Sequence, residues 1–174
     1  MKKYEIGENV KKELHAALSV LFFENNKKEL DSDILYSSSP DSTNFLSEEF
    51  HLKCDDKGSL VFIFFFDKFI MGCFTVLGIM KDIPYTHDKN CGYFSIIESK
   101  VTISEFQKDY VNNLTNGFSF GENGEDFEFI FLENSDYRLR GNILQKINPE
   151  KSSFFFSSNN IQLSKIIVYQ NLIS

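Results

Sequence analysis

Residues 59–72 read Ser-Leu-Val-Phe-Ile-Phe-Phe-Phe-Asp-Lys-Phe-Ile-Met-Gly. The run from Leu60 to Phe66 is unbroken apolar sequence of β-branched and aromatic residues, too short for an ordinary helix and of the length of one strand. Extended, it points Leu60, Phe62, Phe64 and Phe66 to one side and Val61, Ile63 and Phe65 to the other. Both faces then need apolar cover, which places the strand in the middle of a sheet. Asp67 and Lys68 interrupt the pattern before Phe69 resumes it, as a hairpin tip does. The expected centre is a β-hairpin whose second arm spans residues 69–80, with Gly72 and Gly78 at a bulge or a close backbone approach.

The 174 residues suit a single core. Twenty phenylalanines, no tryptophan and three prolines fall largely within strand-like runs, so the aromatic side chains read as core filling rather than as a ligand-stacking surface. A formal charge of -7, with no basic cluster longer than Lys2-Lys3 or Lys27-Lys28, opposes nucleic-acid binding. Glu5, Glu8 and Glu13 break the apolar segment that a secretory signal needs, so the expected compartment is the cytosol or nucleus. Residues 59–80 have the length of a membrane span, but Asp67 and Lys68 at its centre would each cost about 2.5 to 3.5 kcal/mol there. A water-facing hairpin explains the same residues without that cost.

Outward from the hairpin, Val10, Leu14, Ala17, Leu18 and Leu21 recur at three- and four-residue spacing, which predicts an amphipathic helix over residues 8–25 lying against the sheet. Residues 1–33 form this N-terminal segment and residues 34–174 the domain. Residues 34–36 read as a strand and 37–44 as a polar loop. One helical turn or two is expected at 45–49, extended chain at 50–54, and a turn at 55–58. Residues 81–90 read as a polar loop, and 92–97 and 100–103 as strands. Ser104 and Gln107 have the spacing of a capping box, which predicts a short helix carrying Phe106, Tyr110, Val111 and Leu114 on one face. Residues 117–124 read as a tight turn before a strand at 126–132. A turn at 138–141 and strands at 153–156 and 161–169 complete the pattern. Short strands, few helices and no βαβ rhythm predict a mainly β, α+β fold: an antiparallel two-sheet β-sandwich flanked by short helices.

Chemistry-bearing residues are sparse. His51 with Cys54 and His87 with Cys91 have the spacing of paired metal ligands, but on an extended chain His51 and Cys54 face opposite ways, which argues against a metal site. Three cysteines in a chain expected to be intracellular read as thiols rather than a disulfide framework. Cys73 and Cys91 sit in apolar sequence. Cys54, beside Lys53 and near a turn, is the candidate reactive thiol. The glycines of residues 117–124 suggest a phosphate cradle, but Glu122, Glu125 and Asp126 repel phosphate, and the order helix, loop, strand is the reverse of a P-loop. The acidic stretches at 55–56, 122–128 and 133–136 read as solvated faces or a patch for a basic partner.

The order of these motifs resembles the TLDc domain family of oxidation-resistance proteins. Ile34-Leu35-Tyr36-Ser37-Ser38 resembles the opening W-x-L-L-Y-S strand, and Phe50-His51-Leu52-Lys53-Cys54 an F-H-x-x-C segment. The run ending at Phe66, followed by Met71-Gly72-Cys73-Phe74, resembles the apolar strand and its F-G-G-F/Y partner. Residues 88–96 resemble D-x-x-A-F-L-F-S-L, residues 117–127 the G-x-x-F-G-x-G-x-D-F/L loop, and residues 161–169 the closing I-x-x-I-E-V-W/Y strand. Ile167 stands where the family has glutamate and Gly92 where it has phenylalanine, so no role of that glutamate is carried over.

The resemblance covers the chain from Ile34 onward. It implies a helix-flanked β-sandwich with no enzymatic active site and no cofactor, linked to oxidative-stress protection and to binding and regulation of the vacuolar proton-pumping ATPase through its peripheral sector. That partner would place the protein in the cytoplasm or at the periphery of vacuolar membranes. Exposed loops on rigid sandwiches commonly carry binding, so Gly121, Glu122, Gly124, Glu125 and Asp126 are the expected partner contacts. The alternative is a thiol-based redox sensor or peroxide scavenger using Cys54.

Overall fold

The computed structural model describes Lys12, residues 34–147 apart from 68, 99 and 107, and residues 162–170. Among the described residues eleven strands build two antiparallel sheets packed face to face. β1 (Ile34–Ser38), β2 (Leu60–Phe66), β3 (Ile70–Thr75), β5 (Gly92–Ile97), β6 (Lys100–Glu105) and β11 (Leu163–Gln170) form a six-stranded sheet in the order β1-β11-β2-β3-β5-β6. β4 (Tyr85–His87), β7 (Tyr110–Leu114), β8 (Gly117–Phe120), β9 (Phe127–Phe131) and β10 (Tyr137–Arg140) form a five-stranded sheet in the order β10-β9-β8-β7-β4. Among the described residues two short helices, α1 (Ser47–Cys54) and α2 (Asn142–Ile147), pack on the sheets, α1 on β1 and β8 and α2 on β9. The expected α+β sandwich is present, and no described helix is long and apolar enough to cross a membrane.

β2 lies between β11 and β3, and all seven of its residues are buried. Its alternation divides them between two clusters. Leu60, Phe62, Phe64 and Phe66 face the second sheet, where Phe62 stacks on Phe118 at 4.5 Å and Phe64 lies 5.7 Å from Phe129. Val61, Ile63 and Phe65 join Phe74, Phe94, Ile167 and Tyr169 in a cluster to which no residue of α1 or α2 belongs. Each such side chain taken out of water contributes about 1.5 to 3 kcal/mol, so a strand buried along its whole length contributes to both clusters. The hairpin tip falls where the polar pair Asp67 and Lys68 predicts: the Phe66 N–H donates to the Phe69 carbonyl at 3.0 Å and the two rings stack.

Several expectations are corrected. Residues 50–54 are helical, not extended. Phe50 and Cys54, one turn apart, both turn into the core, and Glu48 and Glu49 occupy the first turn, where the helix dipole favours acids. β3 stops at Thr75 instead of running to Met80, because the Asp88 carboxylate takes the N–H groups of Val76 and Leu77 at 2.7 and 3.0 Å. The loop at 81–90 contains the edge strand β4, and the loop expected from residue 37 begins after Ser38.

The helix predicted from Ser104 is absent. Ser104 pairs with Tyr93 in β6, and Tyr110 to Leu114 is strand β7, where the Asn112 amide donates across to Ser119 Oγ at 3.0 Å and the Gly121 carbonyl at 2.8 Å. A three-residue spacing of Ser and Gln carried too little weight against Tyr and Val, which favour strands, and two asparagines, which disfavour helix interiors. Residues 117–120 are strand β8, so the tight turn begins only at Gly121. Residues 138–140 belong to β10, and the chain reverses earlier, at Glu133–Ser135, where Asn134 and Ser135 both adopt positive φ. Of the helix expected over 8–25, Lys12 alone is described, helical and exposed. The strand expected at 153–156 lies outside the described residues.

Candidate functional site

The acidic loop after β8 divides into a buried frame and an exposed crest. Gly121, Gly124 and Asp126 are buried, whereas Glu122, Asn123 and Glu125 are exposed. Gly121 has φ 91°, and a Cβ there would lie 2.5 Å from Asp126 Oδ2, so only glycine lets the carboxylate close over this turn. The backbone is tied at both ends: Gly121 N–H donates to the Tyr110 carbonyl at 2.8 Å, Asp126 N–H to Phe120 at 3.2 Å, and Asn142 N–H to the Glu125 carbonyl at 3.0 Å. Arg140 on β10 adds a bond from Nη2 to the Asn123 carbonyl at 3.4 Å while gripping Glu128. Of the five residues expected to touch a partner, Glu122 and Glu125 are placed to do so. Gly121, Gly124 and Asp126 shape the loop from inside.

Cys54 lies on the inward face of α1 with no solvent exposure, and burial pushes its thiol up to about 12, with Asp55 adding to the rise. Cys73 and Cys91 are likewise buried, and burial raises both, Cys91 to about 12. The nucleophile is the thiolate, and these environments favour the thiol. Lys53, the neighbour that suggested activation, lowers the Cys54 value less than burial raises it.

On the helix α1 His51 meets Asp55, one turn further on. Its Nδ1 meets Asp55 Oδ1 at 2.9 Å, and Asn113 Nδ2 reaches the other Asp55 oxygen at 3.4 Å while donating to the Met80 carbonyl at 2.8 Å. The Asp55 carboxylate holds the imidazole in place through Nδ1. Nε2 is shielded from water and has no hydrogen-bond partner among the described residues, an arrangement that costs about 1 to 3 kcal/mol. His51, Asp55 and Asn113 line a groove of about 500 Å³ together with Asp82, Ile83 and Leu114. His87 is exposed near Asp109 at 3.8 Å, while Cys91 is buried. Among the described residues no group of three or more histidines, cysteines, aspartates or glutamates is placed to hold a metal ion.

Sequence reasoning missed Asn113, Asp82 and Arg140. Asn113 and Arg140 were assigned to the wrong element, and Asp82 gave no signal beyond its place in a polar loop. The one usable clue was the four-residue spacing of His51 and Asp55, which on a helix brings the two side chains together. No protein-family model matches this chain, and no curated protein matches it.

Proposed function

We propose that this chain is a non-catalytic interaction domain of the TLDc type. In this reading it binds and regulates the peripheral sector of the vacuolar proton-pumping ATPase from the cytoplasm, and protects against oxidative stress through that partner. The observation that carries it is the acidic loop, a crest of Glu122, Asn123 and Glu125 held outward on a frame of backbone bonds. A loop so fixed loses little entropy on binding, and its carboxylates suit a basic surface. The run of motifs from Ile34 to Tyr169 supports the family. The buried thiols favour this reading over peroxide scavenging by Cys54.

The test is co-sedimentation of the chain with vacuolar membranes, with ATP-driven proton pumping measured alongside. Saturable binding that changes pumping is expected, and the double variant Glu122→Lys/Glu125→Lys should weaken it at least tenfold. Both positions are exposed, so the variant should melt within about 0.5 kcal/mol of the parent. Asp126 is left intact because it is only 3% exposed and a lysine there would bury a charge. Folded protein that neither binds nor alters pumping would overturn the proposal.

A further inference from the structure

The six-stranded sheet carries apolar clusters on both faces, and the second sheet covers one of them. On the far face stand Val61, Ile63, Phe74, Phe94, Ile167 and Tyr169. Val61, Ile63 and Phe94 have no solvent exposure, and Phe74 is 1% exposed. Side chains standing on one face of a sheet do not shield one another from above, so a further layer closes this face. Every member of the cluster, and every half-buried residue packed against it, belongs to this sheet or, as Val76 does, adjoins its strands. None of the other described elements therefore supplies apolar side chains to that layer. The face is also flattened. A Cβ on Gly72 would meet the Phe94 ring and one on Gly92 the Phe74 ring, so each ring rests over the glycine opposite it in the neighbouring strand. A rod-like element can lie across rings held so low.

We propose that residues 8–25 lie as a helix across this far face. Val10, Leu14, Ala17, Leu18 and Leu21 form the stripe that meets the sheet, and at about 100° per residue Lys12 falls about 180° from the centre of that stripe. Lys12 is helical and exposed, as the outward side of such a helix requires. The lengths agree: residues 8–25 as a helix span about 27 Å, and six strands about 4.8 Å apart span about 24 Å. The tether agrees as well. The chain joins the sheet at Ile34, which pairs with Tyr169 of the far face, and residues 26–33 can reach about 26 Å. Residues 148–161 are worse placed. They leave from α2, which packs on β9, and rejoin at Leu163, whose N–H donates to Tyr137 Oη at 2.8 Å, so both their ends lie on the second-sheet side. The inference makes the N-terminal segment a third layer of the fold rather than an arm free to dock elsewhere, and it stands whether or not the ATPase reading does.

The experiment is NMR of the full chain with its Ile, Leu, Val and Phe side chains isotopically labelled. Nuclear Overhauser contacts are expected from the Leu14, Leu18 and Leu21 methyls to those of Val61, Ile63 and Ile167. Leu14→Asp/Leu18→Asp should shift the Ile63 and Ile167 methyls, lower the melting temperature and raise severalfold the fluorescence of a dye that binds apolar surface. Lys12→Glu, on the outward side, should do none of these. Should the double variant fail to fold, Leu18→Ala leaves a smaller gap and should still move the far-face methyls. A mixture of differently labelled chains separates cover by the chain's own helix from cover by a second copy. Contacts within one chain support the proposal, and contacts between chains overturn it. Contacts of these leucines with the second sheet, far-face contacts to the rings of Phe154, Phe155 and Phe156 instead, or no far-face contact from residues 8–25 in the folded chain would likewise overturn it.

Discussion

Glu128 and Arg140 stand directly opposite each other in β9 and β10, and the guanidinium holds both carboxylate oxygens, Nε to Oε1 at 2.7 Å and Nη2 to Oε2 at 2.9 Å. Glu128 is nearly buried and Arg140 is partly open to solvent, so this pair lies between a surface ion pair and a buried one. Its bond to Glu128 raises the Arg140 guanidinium above its ordinary value. We expect Glu128→Gln to cost about 1 to 2 kcal/mol. A double-mutant cycle with Arg140→Gln, read by urea denaturation, should show coupling of about 1 kcal/mol. Additive losses would mean that the two side chains act separately.

Gly72 faces a different constraint. A Cβ at this position of β3 would run into the Phe94 ring and the Phe62 carbonyl, although the strand is regular and φ is ordinary. The ring takes the space that a side chain would fill. Gly72→Ala should therefore destabilise by about 1 to 3 kcal/mol, because β2, β3 and β5 must part to admit a methyl group. Phe94→Leu in the same chain should recover part of that loss, so the two effects would not add. Full stability of Gly72→Ala in thermal melting would contradict this packing.

How far this architecture is legible in the sequence follows from what each residue answers to. β2 was readable because seven consecutive apolar residues can be satisfied only at the centre of a sandwich. The two-residue tip was readable because its polar pair interrupts that run. β7 and β10 were not, since Tyr-Val-Asn-Asn-Leu and Tyr-Arg-Leu-Arg become strands through partners on the neighbouring strand, Ser119 and Gly121 for one and Glu128 for the other, and their own residues carry no clear strand pattern. The acidic loop was located by its glycines, but only the fold separates exposed Glu122 and Glu125 from buried Asp126. The groove beside His51 had no local pattern at all, because α1, residues 81–84 and β7 meet there only after folding.

Asp88 shows how one residue can decide where a strand ends. Its Oδ2 accepts from Thr75 Oγ1 at 2.5 Å and from the N–H groups of Val76 and Leu77, and its Oδ1 accepts from the Asn90 N–H at 2.9 Å. Thr75 Oγ1 in turn accepts from the Gly78 N–H at 3.1 Å. Asp88→Ala strips acceptors from several donors at a site 1% exposed, and should cost about 3 kcal/mol. Asp88→Asn keeps one acceptor oxygen and should lose less. Hydrogen exchange should localise the change to Val76, Leu77 and Asn90, and an unchanged exchange pattern would refute the anchoring role.

The buried thiols make stability fall at alkaline pH. Burial raises Cys54 and Cys91 from an ordinary 9.0 to about 12, and Cys73 also moves up. Below about pH 9 both folded and unfolded chains keep these protons, and the thiols make no pH-dependent contribution. Between about pH 9 and 12 the unfolded chain releases protons that the native fold retains, so stability falls as pH rises, by about 1.4 kcal/mol per unit for each fully titrating thiol. Tyr36, pushed by burial from 10.0 to about 12, adds to the loss above pH 10. Urea midpoints measured from pH 7 to 10 should hold level and then drop, and Cys54→Ala should reduce the slope above pH 9. At pH 7.5 a thiol reagent should label Cys54 only after denaturant is added, since both its burial and its protonation slow attack. Rapid labelling of native protein at Cys54, with Cys73 and Cys91 untouched, would overturn this placement and favour the redox reading.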